Sequence, residues 1–534
     1  WSVDALHDNG AMSKYSTITA VSESPVTDGV IYTGSDDGLI YNTADGGVNW
    51  QQARALPGVP ARAFINDIEA SLYDADTVFA IADAHKAGDY SPHVFVSSSR
   101  GRAWRSISGD LPDNTIAWAI QQDHVNESLL FLGTEYGVYF TVNGGENWHK
   151  IAGAPTIAFR DIKLHRRDND LVGATFGRGI YILDDYASMR AMADAEFGQQ
   201  ASLFPVRDAW WYVPSTPGQA AGLPTLGSDS FRTPNPEFGA TFSYYLDKKF
   251  ESSKDKRHNV ETVLREKGAD IPFPGWQQLT QESLEAEPRV MILVSDVDNN
   301  PVRWLSAVNE QGTHRVSWDL RLPAPDAIDL STPEFVPPWD GAAQGPLVAP
   351  GEFSAQLFAI ISGEALPLGS AQRFNVKPVR EAPDGTDYAE VAAYQQASAE
   401  LQKEIAHARE ELDLIRDLLR HMKAAVVEAP LAAPSLFVRL DAFDAQLGRL
   451  ETRLSGDPVR ARLNETAVPS IAGRAFNAAN VRNTTHAPTA TQRSDLEIAK
   501  SDFVVFSSDL KDLLETDLAQ LEADLLVAGA PSWR

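Results

Sequence analysis

The chain has 534 residues, of which 43% are hydrophobic and 22% charged, so it is too long for one ordinary core and is composed like a folded protein, not a disordered one. Its 46 Lys and Arg face 73 Asp and Glu, a formal charge of -27 with no long basic run, which argues against nucleic acid and anionic membrane surfaces as partners. There is no cysteine, so disulfides, thiolate metal sites and cysteine nucleophiles are excluded, and no apolar run nears the roughly 20 residues that span a bilayer.

The sequence starts at Trp1 with neither an initiator Met nor a signal-like segment, and it reads as a processed form or a piece of a longer polypeptide. In its first third an octet recurs: TADGGVNW, SSSRGRAW and TVNGGENW. The matched positions are Thr43, Asp45, Gly47 and Trp50; Ser97, Ser99, Gly101 and Trp104; Thr141, Asn143, Gly145 and Trp148. Tryptophans at 50, 104 and 148 are spaced like the four-stranded blades of a propeller. YTGSDDGLIY and FLGTEYGVYF stand before two of the octets, and VGATFGRGIYILDD is a third version; each predicts strand, glycine-bearing turn and strand.

The octet itself predicts a tight turn. A short polar side chain accepts backbone N–H bonds, glycines supply positive φ, and the tryptophan caps the apolar layer between strands. Ser99 and Asn143 stand where Asp45 does, and a hard cation site would not survive loss of its carboxylate. No metal and no cofactor are expected.

On these residues the chain resembles the Asp-box, or BNR-repeat, propellers of sialidases and sortilin-like proteins. The order of its segments is similar to the C-terminal part of large bacterial secreted BNR proteins that are often labelled glycosyl hydrolase. The resemblance implies a secreted or periplasmic protein whose propeller binds a protein, peptide or glycan. Residues 1–190 supply about four blades by length, fewer than such rings usually close with, and an open ring leaves unpaired edges. An upstream segment or a companion chain is therefore expected to complete it.

Residues 191–235 read as a linker. Within them, Trp210, Trp211 and Tyr212 suggest either a carbohydrate-stacking platform or buried aromatics that pin the linker to a propeller face. Residues 236–380 predict an immunoglobulin-like β-sandwich with a polar, partly helical insertion near 250–288. Asp296, Asp298 and Asn299 there read as a hairpin turn. Residues 386–530 predict an antiparallel helical bundle. Leu401, Ile405, Ala408, Leu412, Ile415, Leu419, Met422 and Val426 form a heptad seam. Leu436 to Leu454 repeat it, and a third amphipathic helix covers about Thr491 to Ala528. The stretch between the second and third helices reads as irregular. The fold class is thus mainly β with an α-helical C-terminal domain, and the heptad seam reads as structural, with an oligomer through the bundle as the second reading.

For chemistry, the resemblance to sialidases implies an arginine triad, a Tyr-Glu nucleophile pair and an Asp acid, but no FRIP-like motif is found. Other glycosidases need two facing carboxylates, and 73 acids do not nominate a pair. Asp36, Asp37 and Glu135, with Arg178 at a matching position, lie in blade loops where a ligand would bind, and Asp67 and Glu69 lie where a channel would run. The expectation is a recognition protein with no complete catalytic site in this chain. The alternatives are a glycoside hydrolase whose active site lies largely upstream, and a structural component of a larger assembly.

Overall fold

The computed structural model describes residues 16–194, 201–214, 233–326, 328, 330, 335, 343–380, 385–480 and 484–533. The chain divides into two compact units, Trp1–Gln199 and Gln200–Arg534.

The first unit is a succession of small antiparallel meanders. The first sheet is β1 (Ile18–Glu23), β2 (Ile31–Ser35), β3 (Ile40–Thr43) and β4 (Gln51–Gln52). The second is β5 (Phe64–Ala70), β6 (Val78–Ala84), β7 (Asp89–Ser97) and β8 (Arg105–Ser106), and the third is β9 (Ala117–Gln122), β10 (Leu130–Thr134), β11 (Gly137–Thr141) and β12 (His149–Lys150). The fourth has three strands, β13 (Phe159–His165), β14 (Asp170–Thr175) and β15 (Ile180–Leu183), followed by the short helix α1 (Ser188–Asp194).

Alternation along these strands gives the middle sheets two apolar faces. Tyr32 and Ile40 of the first sheet pack on Ile65, Ala80 and Phe95 of the second. The opposite face of the second sheet, with Phe79, Ile81 and Val94, packs on Ile120, Leu132 and Tyr139 of the third. Phe131 and Val138 then meet Phe159, Ile162 and Leu171 of the fourth.

The octets are turns built on one hydrogen-bond scheme. The first-position hydroxyl accepts from the fifth-position N–H: Gly47 to Thr43 at 3.0 Å, Gly101 to Ser97 at 2.9 Å and Gly145 to Thr141 at 3.0 Å. The third-position side chain accepts from the seventh N–H: Asn49 to Asp45 at 2.9 Å, Ala103 to Ser99 at 3.1 Å and Asn147 to Asn143 at 3.0 Å. Aspartate, serine and asparagine interchange because the turn needs only a lone pair at that point. The bonds from Asn49 hold the Asp45 carboxyl at about 2.

In the second unit, β16 (Ala201–Leu203), β18 (Ala240–Leu246) and β21 (Gly312–Trp318) form one sheet. The other runs in the order β17 (Ala209–Trp211), β23 (Glu364–Pro378), β22 (Gly351–Ile361), β19 (Arg289–Asp296) and β20 (Pro301–Ala307). Both bury Phe242, Tyr244, Ile292, Trp318, Leu357 and Phe374 in a common core. The expected 191–235 linker is corrected here, since β16 and β17 lie inside it and both contribute to that core. Pro and Gly density obscured two three-residue strands. The insertion carries α2 (Ser253–Glu266), started by a Ser252 capping box, and α3 (Trp276–Leu284). Asp296 serves its hairpin, accepting from the Asp298 and Asn300 amides at 2.9 and 2.8 Å.

The helices α4 (Tyr388–Val427), α5 (Pro434–Ser455), α6 (Pro458–Arg462), α7 (Ile471–Ala479), α8 (Ala490–Asp512) and α9 (Ala519–Val527) complete the unit. Lys423 pairs with Asp441 and Asp444, and Arg416 pairs with Asp444 and Glu451, so α4 and α5 run antiparallel. Their seams share one core with α7, α8 and α9. Two expectations change. The stretch read as irregular contains α7, capped by Ser470 through the Gly473 N–H at 3.1 Å, and the third long helix passes through a π-helical turn at Leu513–Leu518. Leu412 and Ile415 are buried inside this core, so the seam is not left open for a second chain.

Candidate ligand-binding face

The first strands of the four meanders lie side by side, and each breaks register at a matched place. The shifts fall between Ile18 and Ala20, Ile65 and Asp67, Ala117 and Ala119, and Phe159 and Asp161. A β-bulge re-aims the extra residue, and here those residues are Thr19, Asn66, Trp118 and Arg160. Thr19 Oγ1 donates to Ile65 O at 2.7 Å, and Asn66 Nδ2 donates to Ala117 O at 2.9 Å. Each of these side chains reaches across to the residue before the next bulge. In the last pair the direction reverses: Arg160 lies over the Trp118 ring with its guanidinium carbon 3.4 Å from the centroid, and 5.3 Å from that of Phe176.

The hairpin loops sit at the same end. Ser35, Thr134 and Thr175 hydroxyls bridge their turns to Leu39, Gly137 and Gly179 carbonyls at 2.9, 2.9 and 2.7 Å. The next residue's N–H is tied to the chain entering the first strand: Asp36 to Thr17 O, Glu135 to Ile116 O and Phe176 to Ala158 O. Glu135 accepts from Trp118 Nε1 at 2.9 Å. His85, held to Asp83 by Nδ1 at 2.5 Å, presents an edge to Trp118, and Lys86 lies over Phe64. An aromatic and cationic strip thus crosses the second, third and fourth sheets, with Lys86, Arg160 and Phe176 exposed along it and Trp118 buried beneath Arg160.

The loop acids of the sequence divide. Asp37 accepts from the Ser16 and Ser35 hydroxyls and from Leu39 N–H, and Asp36 accepts from Thr17 N–H at 2.9 Å. Asp37 thus ties its own turn to the chain entering β1, and Asp36 bonds to that chain alone. Glu135 orients Trp118, and Arg178 stands at an exposed loop tip. Trp210, Trp211 and Tyr212 do not share one face. Strand alternation buries Trp211, whose Nε1 donates to Val348 O at 2.7 Å, and turns Trp210 and Tyr212 outward.

Asp67 and Glu69 alternate with buried Ile68 on β5, so they share the face turned to the third sheet; Asp67 accepts from Ile120 N–H at 2.9 Å. Burial raises Asp67 to about 6, and burial together with the Asp67 charge raises Glu69 to about 7. His165, Asp168 and Asp170, near the β13–β14 turn, are the one group among the described residues with metal-ligand spacing. Asp168 is engaged there by Arg167 at 2.8 Å. The bulged residues were missed from sequence, because a bulge is a property of pairing between strands.

No protein-family model matches the chain, and no curated protein is similar to it in sequence. Among solved structures, it is similar to YCF48 bound to D1 peptide, with 15% identity, TM-score 0.26, and 33% of this chain and 53% of that one covered. A GH74 enzyme of Niastella koreensis is 12% identical with TM-score 0.25, covering 43% of this chain and 28% of that one. A GH74 xyloglucanase from Xanthomonas campestris is 13% identical with TM-score 0.27, covering 67% and 46%. The chain spans about half or less of the length of each, and likeness at these scores assigns it no activity.

Proposed function

We propose that the chain is an extracytoplasmic recognition protein. Its four meanders are blades of a β-propeller, and it binds a protein, peptide or glycan across the strip from Phe64 to Phe176. In the same reading, the two-sheet core of the second unit is an immunoglobulin-like sandwich and its helices form a bundle. The observation that carries the proposal is the repeated bulge, which places Asn66, Trp118 and Arg160 at one end of three adjacent sheets. The buried Trp118 ring holds the exposed Arg160 guanidinium in place, and a pre-placed arginine is a common anchor at binding surfaces. The test is binding to peptide and glycan arrays. Wild type should retain a class of ligands that Trp118→Ala and Arg160→Ala each weaken at least tenfold, and equal binding by all three proteins would sink the proposal.

A second reading, glycoside hydrolysis, rests on Asp67 and Glu69. Their Cα atoms stand about 7 Å apart on one strand, and Glu69, raised to about 7, suits a general acid near neutral pH. Turnover of a polysaccharide panel that vanishes in Glu69→Gln would favour it over simple recognition.

A further inference from the structure

In the second unit, an open hollow of about 520 Å³ lies where the sheet core meets the helices. Four separate parts of the chain wall it: residues 211–213 at the end of β17, 378–380 at the end of β23, Tyr388 at the start of α4, and 484–486 ahead of α8. The protein's own packing fixes these walls. Trp211 pairs with Pro378 in the parallel β17–β23 ladder, and Val379 N–H donates to Trp211 O at 3.3 Å. The Tyr388 ring stands 4.7 Å from that of Trp211, and the Tyr212 ring 4.8 Å from that of Phe238. Gln395 Nε2 donates to Thr484 O at 3.4 Å, which ties the last wall to α4.

The charge of the hollow is out of keeping with the chain. Against a formal charge of -27, its lining among the described residues carries Arg380 and His486 and no carboxylate. Both are exposed, and neither has an ion-pair or hydrogen-bond partner among the described residues. Asp387, beside Tyr388, is occupied in capping α4 and accepts from Ala389 N–H at 2.9 Å.

We propose that this hollow binds a carboxylate carried next to an aromatic ring, as in an aryl-substituted organic acid or the C-terminal aromatic residue of a peptide. The planar fork of Arg380 matches a carboxylate through two parallel hydrogen bonds, and His486 supplies a further donor. The ligand's ring is the complement of Trp211, Tyr212 and Tyr388. A sugar acid fits less well, because its hydroxyls would lose water against Val213, Pro378 and Val379, whose side chains offer no hydrogen bond. The site belongs to the second unit and does not rest on the strip of the first.

Calorimetric titration of the 534-residue chain with hydrocinnamate should saturate with a Kd below about 1 mM, within the range open to a ligand of that size. Its amide, which keeps the ring and loses the charge, should bind at least tenfold more weakly. A short peptide ending in phenylalanine, with a free or an amidated C-terminus, distinguishes the two sources: tighter binding of the free-ended peptide than of hydrocinnamate marks a chain end as the natural ligand, and the reverse marks a free acid. Arg380→Gln should weaken either ligand at least tenfold and Tyr212→Ala at least threefold. Arg373→Gln, an exposed control on β23, should bind as wild type does, and all three variants should melt with wild type. The proposal is overturned if neither probe saturates, if acid and amide bind equally, or if Arg380→Gln binds as well as Arg373→Gln. Glucuronate binding as tightly as hydrocinnamate also overturns it, because the rings then select no aromatic partner.

Discussion

The two ends of the meander unit are finished differently. At the start, Trp50 closes a well-formed turn and faces outward. At the finish, the fourth sheet has no octet, and residues after β15 take its place. Tyr186 N–H donates to Asn169 O at 2.7 Å, just as Gly46 and Gly144 donate to Gly29 and Ser128. Tyr186 is fully buried with its ring 4.9 Å from Phe131, and Arg190 grips the buried Asp123 through Nε and Nη2 at 2.8 and 2.7 Å. A turn's own hydrogen bonds therefore do not decide whether it is docked. What lies behind it does.

The largest expected effect breaks the closed end. Arg190→Ala strands the Asp123 charge in the interior and should cost about 3–5 kcal/mol in urea denaturation; a loss under about 1 would show that water reaches Asp123. Burial opposes that charge, but bonds from Arg190, the Asn126 amide and Tyr186 outweigh it and hold the carboxyl below its ordinary value. The stabilisation it gives is thus present above the ordinary carboxylate pKa and lost as pH falls through the lowered one, a limb that Asp123→Asn should abolish.

Close behind, Trp148→Ala should cost about 3–5 kcal/mol as a docked octet loses its anchor. Between the ends, Asp67 and Glu69 act with the opposite sign. Their raised values mean that stability present below about pH 4 is lost as pH rises through about 6 and 7. Asp67→Asn combined with Glu69→Gln should flatten stability between those limits and raise it at pH 8, measured by denaturation across pH. Thr141→Val, which removes the acceptor for Gly145 N–H and the donor to Asn143, should cost about 1–2 kcal/mol. Smallest of all, Trp50→Ala in this chain should stay within about 0.5 kcal/mol. A cost equal to that of Trp148→Ala would erase the contrast between the ends.

Much of the local structure was legible because it is periodic or a matter of turn chemistry. Spacings of three and four from Leu401 to Val426 mark one helical face without reference to any partner. The octets announce themselves through hydroxyl, short polar acceptor, glycine and tryptophan in fixed order. By contrast α7 was hidden by its shortness and its glycine, and β16 and β17 by lengths at which alternation says little. The candidate site was legible only in part. Glu135 was named as a possible ligand contact, and its bond from Trp118 Nε1 could not be read from sequence, while Trp118 and Arg160 carried no signal of their own.

By itself, then, the sequence determined where the turns, strands and helical seams lie, since these depend on residues within a few positions of one another. Only the tertiary structure decided which side chain each first strand pushes out at its bulge, that Asp36 and Asp37 bond to the chain entering β1, and that three matched tryptophans have unequal surroundings. The reason is physical: register and docking depend on contacts between segments about 40 to 60 residues apart, the length of one repeat, and matched octets carry no record of whether a sheet stands behind them.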